Sequence, residues 1–299
     1  MNRLACQALP LRYREVCVQM PYFRHLQSLF CLAVLTLSVC TQRAVHAAPD
    51  PLRYQGGLRN SYDQNPLSPK QLDALLKSLR HKTGFLEMRF NEHGFLTIDN
   101  PFNVSGGSAT ARALLRAAIE MKDSIELQCR NRSSEVAFAR LAKPVIFLSQ
   151  ATKKQIDVYP IEIDFSDFAH LRGEKRVLEA FDLGFVVLHE LAHAALGLRD
   201  AAVESDSPGE CEEHINRIRR ELQLPERQNY FARVYGSPQP TAPRSSRQAE
   251  LVFAQPVEQK GKVKLATMSL NWEAERVGPI RNEVMKLPAA NRAQTASAP

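Results

Sequence analysis

The sequence predicts an α+β fold in which a small layer of strands precedes a buried helix. Residues 144–148 and 156–163 are rich in β-branched and aromatic residues, which is typical of neighbouring strands. Residues 179–196 are apolar nearly all round, as expected of a helix buried in a domain core. A further helix is predicted over residues 210–222, because Pro225 follows its end.

Capping residues and apolar spacing predict the elements ahead of these strands. Ser68 followed by Pro69 is a typical start for an amphipathic helix, and four leucines follow at helical spacing. These leucines are Leu72, Leu75, Leu76 and Leu79. Residues 85–98 predict a short hairpin, and residues 109–121 predict a helix by their Ala and Leu content. We therefore expect one folded domain over residues 68–235.

Pro160 and Gly197 predict the position of one strand and the end of the buried helix. Pro160 lacks the N–H that an inner strand donates, so Ile156–Ile163 is predicted to lie at a sheet edge. Gly197 is suited to end the buried helix, and an acidic loop over residues 201–209 leads to the next helix.

The first 47 residues are typical of an export signal. An apolar run over Leu29–Val39 is short for a membrane span, and small residues lead to a cleavage site that we place after Ala47. Met20 is an alternative start of the chain, and an uncleaved membrane anchor is the alternative interpretation. We expect a periplasmic or secreted protein without stable membrane insertion.

The segments on either side of the domain are polar. Residues 48–67 contain too little apolar surface to fold by themselves and are predicted to be a linker. Residues 236–299 are predicted to be a low-complexity, largely disordered tail. Within this tail, residues 251–257 and 263–270 are apolar enough to add short strands.

The net charge bears on nucleic-acid binding, and the cysteines bear on the presence of a disulfide. The leader contains five arginines and one glutamate, a net +4, which leaves +3 of the chain's +7. This remainder is evenly spread, whereas nucleic-acid binders show a concentrated basic face, so we expect no nucleic-acid partner. Only Cys129 and Cys211 follow the leader, and they form either a disulfide or two buried thiols.

The buried helix carries the run His189-Glu190-Leu191-Ala192-His193. Residues four apart lie on one face of a helix, so the two imidazoles are able to bind one ion. Ionisable groups in an apolar helix are costly to bury without such a partner. Zinc held by two His and one carboxylate lowers the pKa of a water molecule to about 7, and a neighbouring Glu takes its proton. The run therefore predicts a zinc site with Glu190 as general base.

The sequence leaves the third ligand open. Glu212 lies on the next helix with Asn216 four residues later, a spacing similar to that of the thermolysin-like gluzincins, in which the later residue supports the first His. We take Glu212 as the predicted ligand. Asp200 follows a glycine turn after the helix, which is similar to another group of zincins, with a spacing one residue longer. The alternatives to Glu212 are Glu213, Glu210 and Asp200.

A stretch after this helix resembles a known family. Residues 218–230 read Ile-Arg-Arg-Glu-Leu-Gln-Leu-Pro-Glu-Arg-Gln-Asn-Tyr. Together with the histidine-bearing helix, over residues 181–230, this stretch resembles short bacterial effector-type zinc metalloproteases with an R-x-x-Y element, which is similar to one in clostridial neurotoxin proteases. The resemblance implies a zincin-like metallopeptidase domain in which Arg227 and Tyr230 stabilise the transition state. A guanidinium and a phenol are suitable donors to an oxyanion.

These observations predict a zinc-dependent endopeptidase that acts on a peptide or protein substrate. An edge strand pairs readily with an extended peptide, so Ile156–Ile163 is our expected contact with that substrate. The alternative is a zinc-binding structural or interaction module without turnover. That module binds metal and cleaves nothing.

Overall fold

The computed structural model of the chain describes residues 55–148, 153–202, 207–236, 247–259 and 261–278. The predicted leader with its cleavage site and the alternative start at Met20 lie outside these residues. In the described part, no helix is long and apolar enough to cross a bilayer. The elements are β1 (Gly57–Asn60), α1 (Pro69–Thr83), β2 (Met88–Phe90), β3 (Leu96–Ile98), α2 (Ala109–Ile119), β4 (Ser124–Cys129), β5 (Ala139–Leu141), β6 (Val145–Leu148), β7 (Gln155–Ile163), α3 (Lys175–Ala180), α4 (Leu183–Leu196), α5 (Gly209–Glu221), β8 (Glu226–Arg227), β9 (Arg233–Tyr235), β10 (Gln248–Gln259) and β11 (Lys262–Glu273).

The largest sheet contains β1, β4, β7, β5 and β6. β1, β4 and β7 run parallel, and β5 and β6 pair antiparallel with β7 on the side away from β4. Because β5 and β6 follow one another along that side, they form the outer edge of the sheet. The structure is thus mixed α and β. Five of the seven strands that precede the buried helix share this sheet, and β2 and β3 pair with each other in a separate hairpin.

β7 is an inner strand, so the prediction that Ile156–Ile163 lies at the edge is wrong, and so is its expected pairing with a substrate. Pro160 is tolerated there because proline keeps its carbonyl as an acceptor. This carbonyl accepts the backbone N–H of Ala142 at 2.8 Å on the side of the edge strands. Among the described residues, β5 and β6 form the free edge on this side of the sheet.

β1 lies within the segment predicted to be a linker, so the folded part begins before residue 68. Leu58 is buried in the core, and Arg59 forms a buried ion pair with Glu126 of β4. A four-residue strand with one large apolar side chain is too short for the alternation that predicts strands.

The main core lies between this sheet and four helices. α4 contacts α1, α2 and α5 on one side and β5 and β7 on the other. Capping supports the first helix as predicted, because Ser68 and Gln71 exchange hydrogen bonds at its start. The core side chains are leucines of the helices together with residues of the sheet, among them Leu75, Leu79, Leu114, Leu115, Ile125, Ile161, Phe185 and Leu188.

A second sheet is built by the segment predicted to be a disordered tail. β10 and β11 pair antiparallel over twelve residues each, and β8 and β9 pair with the other side of β10. Leu251, Phe253, Leu270 and Trp272 of this hairpin are buried in a second core with Phe181. The structure therefore differs from the prediction over 248–273, where the two apolar runs are long strands.

Candidate metal centre

The helix that carries the two histidines begins later than the sequence predicts. The carboxylate of Asp182 accepts the N–H of Phe185 at 3.1 Å and so caps α4, which divides the predicted helix 179–196 into α3 and α4. Gly197 ends α4 in the left-handed region with φ of 65°. His189 and Glu190 are buried on this helix.

Three side-chain atoms converge beyond the exposed end of α4. His189 Nε2 and His193 Nε2 each lie 3.1 Å from Oδ1 of Asp200, and the two nitrogens lie 3.2 Å apart. Ligand atoms bound to tetrahedral zinc at ~2.0–2.1 Å lie roughly 3.3–3.4 Å from each other. The spacing of these three atoms therefore fits a zinc ion without rearrangement of the backbone.

The loop that carries Asp200 is tied to the start of α5. The N–H of Cys211 donates to the Arg199 carbonyl at 3.0 Å, and the N–H of Arg199 donates to the Glu210 carboxylate at 3.2 Å. Gly209 has φ of 83°, and a Cβ atom there would lie 2.3 Å from the Ala201 nitrogen. Only glycine therefore allows α5 to begin so close to this loop.

Both imidazoles are also held through their second nitrogen. His193 Nδ1 lies 2.6 Å from the carbonyl oxygen of Leu198, and His189 Nδ1 lies 3.4 Å from Oε2 of Glu212. Metal-binding histidines typically donate their other N–H to a carbonyl or carboxylate, which fixes the ring and its tautomer. This arrangement leaves both Nε2 atoms directed at Asp200.

Glu212 does not take the position predicted for the third ligand. It faces Nδ1 of His189, whereas Asp200 faces the Nε2 atoms of both histidines. The oxygens of Glu212 are bound by Arg219 and, at 3.1 Å, by Arg227. Among the alternatives, Glu213 is exposed and Glu210 binds the backbone of Arg199, so the geometry favours Asp200.

Asn216 holds a strand in place and does not support His189. Its side-chain oxygen accepts the N–H of Arg227 at 2.8 Å, and its amide donates to the Arg227 carbonyl at 2.8 Å. These two bonds fix β8 to α5. The predicted support of the first histidine comes from Glu212 instead.

Arg227 and Tyr230 differ in what their polar groups face. The guanidinium of Arg227 donates to Glu212, to the Asn229 carbonyl at 2.9 Å and to the Tyr230 carbonyl, so three of its five N–H groups are directed at the protein. The role of Arg227 as an oxyanion donor stays a prediction. The Tyr230 ring stacks on His189 with centroids 6.0 Å apart, and its hydroxyl lies near the Asp200 carboxylate.

Glu190 connects α4 with the edge of the sheet. Its Oε2 accepts the N–H of Leu141 in β5 at 2.7 Å. Burial raises the pKa of Glu190, although the charges of His189 and His193 act in the opposite direction. A carboxylate with a raised pKa, next to the free edge of a sheet, is suited to accept a proton near neutral pH.

The charges around Asp200 favour a cation at the point of convergence. Burial by itself raises the pKa of Asp200, but hydrogen bonds from His189, His193 and Tyr230 outweigh it and hold this pKa below its usual range. Burial lowers the pKa of His193, but the bond to Asp200, together with contributions from Cys211 and the Leu198 carbonyl, outweighs it and raises this pKa to about 10. Asp200 therefore stabilises positive charge next to both imidazoles, and a bound metal ion supplies such charge.

A cysteine also lies in this cluster. A ligand atom from each of His189, His193, Asp200 and Cys211 lies within 4.8 Å of the others. The buried thiol of Cys211 donates to the backbone carbonyl of His189 at 3.3 Å. Of the two alternatives for the cysteines, the structure shows free thiols, because neither Cys129 nor Cys211 is in a disulfide.

Comparison with known protein families, with curated protein sequences and with solved structures gives no match. The resemblance to effector-type metalloproteases therefore rests on residues 181–230 alone. The zincin fold, the zinc ion and the peptidase activity stay predictions.

A pocket of about 220 Å³ opens beside Glu190. The buried side of α4 forms one wall, and the segment leading into β5 forms another. The stretch after β8 and the C-terminal hairpin complete it. Its lining is largely apolar, with Phe138, Phe181, Val186, Leu251 and Trp272 among the side chains.

Sequence reasoning missed parts of this centre that depend on tertiary contacts. Leu141 and Leu198 contribute only backbone atoms, which no side-chain pattern reveals. Cys211 had a signal, because it lies next to the candidate Glu212, but its spacing suggested no ligand. The wall formed by Leu251 and Trp272 was missed because it lies in the segment that was predicted to be disordered.

Proposed function

We propose that this chain is a zinc-dependent endopeptidase whose metal is held by His189, His193 and Asp200. The observation that carries this proposal is the convergence of one oxygen and two nitrogens at 3.1–3.2 Å from each other. Three protein ligands from His and carboxylate side chains are typical of catalytic zinc sites, which keep one position open. Zinc bound there supplies Lewis acidity and lowers the pKa of a water ligand.

The residues around the site have separate roles in this proposal. Glu190 accepts the proton of the attacking water and passes it to the leaving amine. Tyr230 donates its hydroxyl to the oxyanion that develops on the substrate carbonyl. Arg227 positions Tyr230 by binding its backbone carbonyl. The free edge at β5 and β6 lies beside Glu190 and offers backbone groups to an extended peptide.

Metal analysis and a cleavage assay on the purified protein test this proposal. We expect about one zinc per chain and cleavage of a generic unfolded protein. His189→Ala combined with His193→Ala abolishes both, while the matched pair of exposed histidines, His81→Ala with His93→Ala, retains both. Full zinc content in the first double variant contradicts the assignment of the site.

Glu190→Gln separates turnover from metal binding. Gln is nearly isosteric with Glu but does not accept the proton. We expect unchanged zinc content and a kcat lowered by about two to four orders of magnitude. Equal cleavage by this variant and the wild type shows that the activity belongs to a contaminant.

A structural zinc module is the second candidate, and Cys211 is the observation that favours it. A thiolate that joins His189, His193 and Asp200 closes the site with four protein ligands, which is typical of structural zinc. Cys211→Ser keeps a donor for the His189 carbonyl but removes the thiolate. Loss of zinc in this variant favours the structural module, whereas retained zinc with retained cleavage favours the peptidase.

We also propose that the protein acts after export, on the strength of the apolar run Leu29–Val39 and the small residues that end at Ala47. N-terminal sequencing of the exported protein tests this, with Ala48 as the expected first residue. A chain in the membrane fraction that starts at Met1 or Met20 favours the uncleaved anchor.

A further inference from the structure

The apolar pocket beside Glu190 has a wall that comes from outside the predicted catalytic segment. Leu251 of β10 and Trp272 of β11 line it together with Val186 of α4. His189 and Tyr230 also line it, so the pocket opens directly onto the proposed reacting groups. A side chain adjacent to a peptide bond held at Glu190 is therefore within reach of this pocket.

The walls are aromatic and fixed in place. The ring of Phe138 packs edge-on against Phe181, with centroids 5.1 Å apart, and against Trp272, with centroids 5.4 Å apart. Interlocked aromatic rings of this kind hold one arrangement. The pocket therefore has a defined shape before any ligand binds.

Apart from His189 and Glu190 of the proposed reacting groups, the charged groups in the lining are occupied by one another. Glu212 is paired with both Arg219 and Arg227, and it is almost fully buried. The guanidinium of Arg219 also donates to the Ala180 carbonyl at 2.8 Å and to Asn216. Because these groups are paired, an apolar ligand fits the pocket better than a charged one.

We propose that this pocket binds one large apolar side chain of the peptide substrate next to the bond that is cut, and that the C-terminal hairpin sets its size limit. This inference rests on the proposed peptidase function. A cavity of about 150 Å³ lined by apolar side chains is large enough for benzene. The pocket of about 220 Å³ therefore has room for one Phe or Leu side chain.

Trp272 provides a readout that does not depend on cleavage. It is the chain's only tryptophan and it lines the pocket, so its fluorescence reports what enters. The probes are acetyl-Gly-Phe-amide, acetyl-Gly-Leu-amide and acetyl-Gly-Ala-amide, titrated into the zinc-loaded Glu190→Gln variant. We expect the Phe and Leu probes to change the emission and to bind about 10- to 100-fold more tightly than the Ala probe.

A variant with a larger side chain in the pocket tests whether the assigned residues form its wall. Ala232 lines the pocket and is partly exposed, so Ala232→Phe places a ring into the space from its open side. In the Glu190→Gln background this variant is expected to lose the preference for Phe and Leu. Val263→Phe adds the same ring at an exposed position of β11 outside the pocket, so it retains the preference.

The outcomes separate this inference from the proposed function. Equal affinity for the three probes, or an unchanged preference in Ala232→Phe, overturns the pocket assignment even if the wild type cleaves peptides. Preference for Phe and Leu that is lost in Ala232→Phe supports it. If the wild type then cleaves nothing, the peptidase proposal fails while the binding pocket stands.

Discussion

At the scale of single residues, His189 connects the candidate metal position with the buried interior. Its Nε2 faces Asp200, and its Nδ1 faces Glu212, which is paired with Arg219 and Arg227. Burial by itself raises the pKa of Glu212, but the charges of the two arginines, together with His189, outweigh it and hold this pKa well below its usual range. Glu212 is thus an acceptor whose charge the arginines stabilise, and it fixes the ring of His189.

The different positions of Asp200 and Glu212 lead to a prediction about zinc affinity. Asp200→Ala removes a proposed ligand and is expected to weaken zinc binding by more than ~100-fold, whereas Glu212→Gln weakens the support of His189 and costs about 10- to 100-fold. Competition with a chelator of known affinity measures both. Asp73→Ala, an exposed change on α1, is the control and leaves the affinity unchanged. Tight zinc binding by Asp200→Ala contradicts the ligand assignment.

Tyr230 is expected to act on the rate and not on the metal. Removal of its hydroxyl in Tyr230→Phe takes away one oxyanion donor, which lowers kcat by at most about two to three orders of magnitude and leaves KM little changed. Zinc content stays at the wild-type value. Tyr235→Phe is the matched control, because Tyr235 is exposed and its hydroxyl donates to Asn271 of the hairpin. An unchanged kcat in Tyr230→Phe removes this residue from the mechanism.

At the scale of elements, α5 carries two neighbouring arginines in opposite environments. Arg219 is 2% exposed and binds Glu212, which is 1% exposed, whereas Arg220 is 58% exposed and binds Glu226. A buried charge that loses its partner is costly, while an exposed pair is screened by water. The same helix therefore contains both a structural ion pair and a weak surface pair.

This contrast predicts different effects on stability. Arg219→Met leaves Glu212 with one partner fewer in the interior and is expected to lower the free energy of unfolding by about 3–5 kcal/mol. Arg220→Met is expected to cost at most about 1 kcal/mol. Urea denaturation of both variants measures the difference. Equal midpoints mean that Glu212 reaches solvent, and the support it gives to His189 is then in question.

The elements that the sequence predicts well are those with local signals. The start of α1 follows from Ser68 and Pro69, and the end of α4 follows from Gly197. The burial of α4 follows from its apolar run. The position of a strand within a sheet depends on tertiary contacts. The prediction based on Pro160 alone therefore placed β7 wrongly at the edge. The choice between Glu212 and Asp200 as third ligand is also a tertiary property, because contacts between the loop of Asp200 and α5 hold Asp200 near the histidines.

At the scale of the whole molecule, the C-terminal hairpin completes the second core. β10 buries alternate side chains against Phe181 and Val186. Phe181 lies just before the histidine-bearing helix α4, and Val186 lies in its first turn. Composition suggested disorder because polar residues surround the two apolar runs. Long pairing between the runs overrides this bias, since each strand offers the other a continuous row of backbone partners.

Because the hairpin is part of the second core, its buried side chains are expected to contribute to global stability. Phe253 is fully buried, and Phe253→Ala leaves a cavity that is expected to lower the free energy of unfolding by about 3–5 kcal/mol. Leu265 lies on the same hairpin and is 62% exposed, so Leu265→Ala is expected to change it by less than ~0.5 kcal/mol. Urea denaturation followed by far-UV circular dichroism, which reports mainly on the helices, measures both.

A chain that ends at Gly236 lacks Leu251, Phe253, Leu270 and Trp272, each worth about 1.5–3 kcal/mol of burial. Because that loss approaches the ~5–15 kcal/mol by which a domain is stable, the shortened chain is expected to lose its cooperative transition. A cooperative transition at the wild-type midpoint in the shortened chain, with Phe253→Ala no weaker than Leu265→Ala, shows that the hairpin does not support the helix of the metal centre.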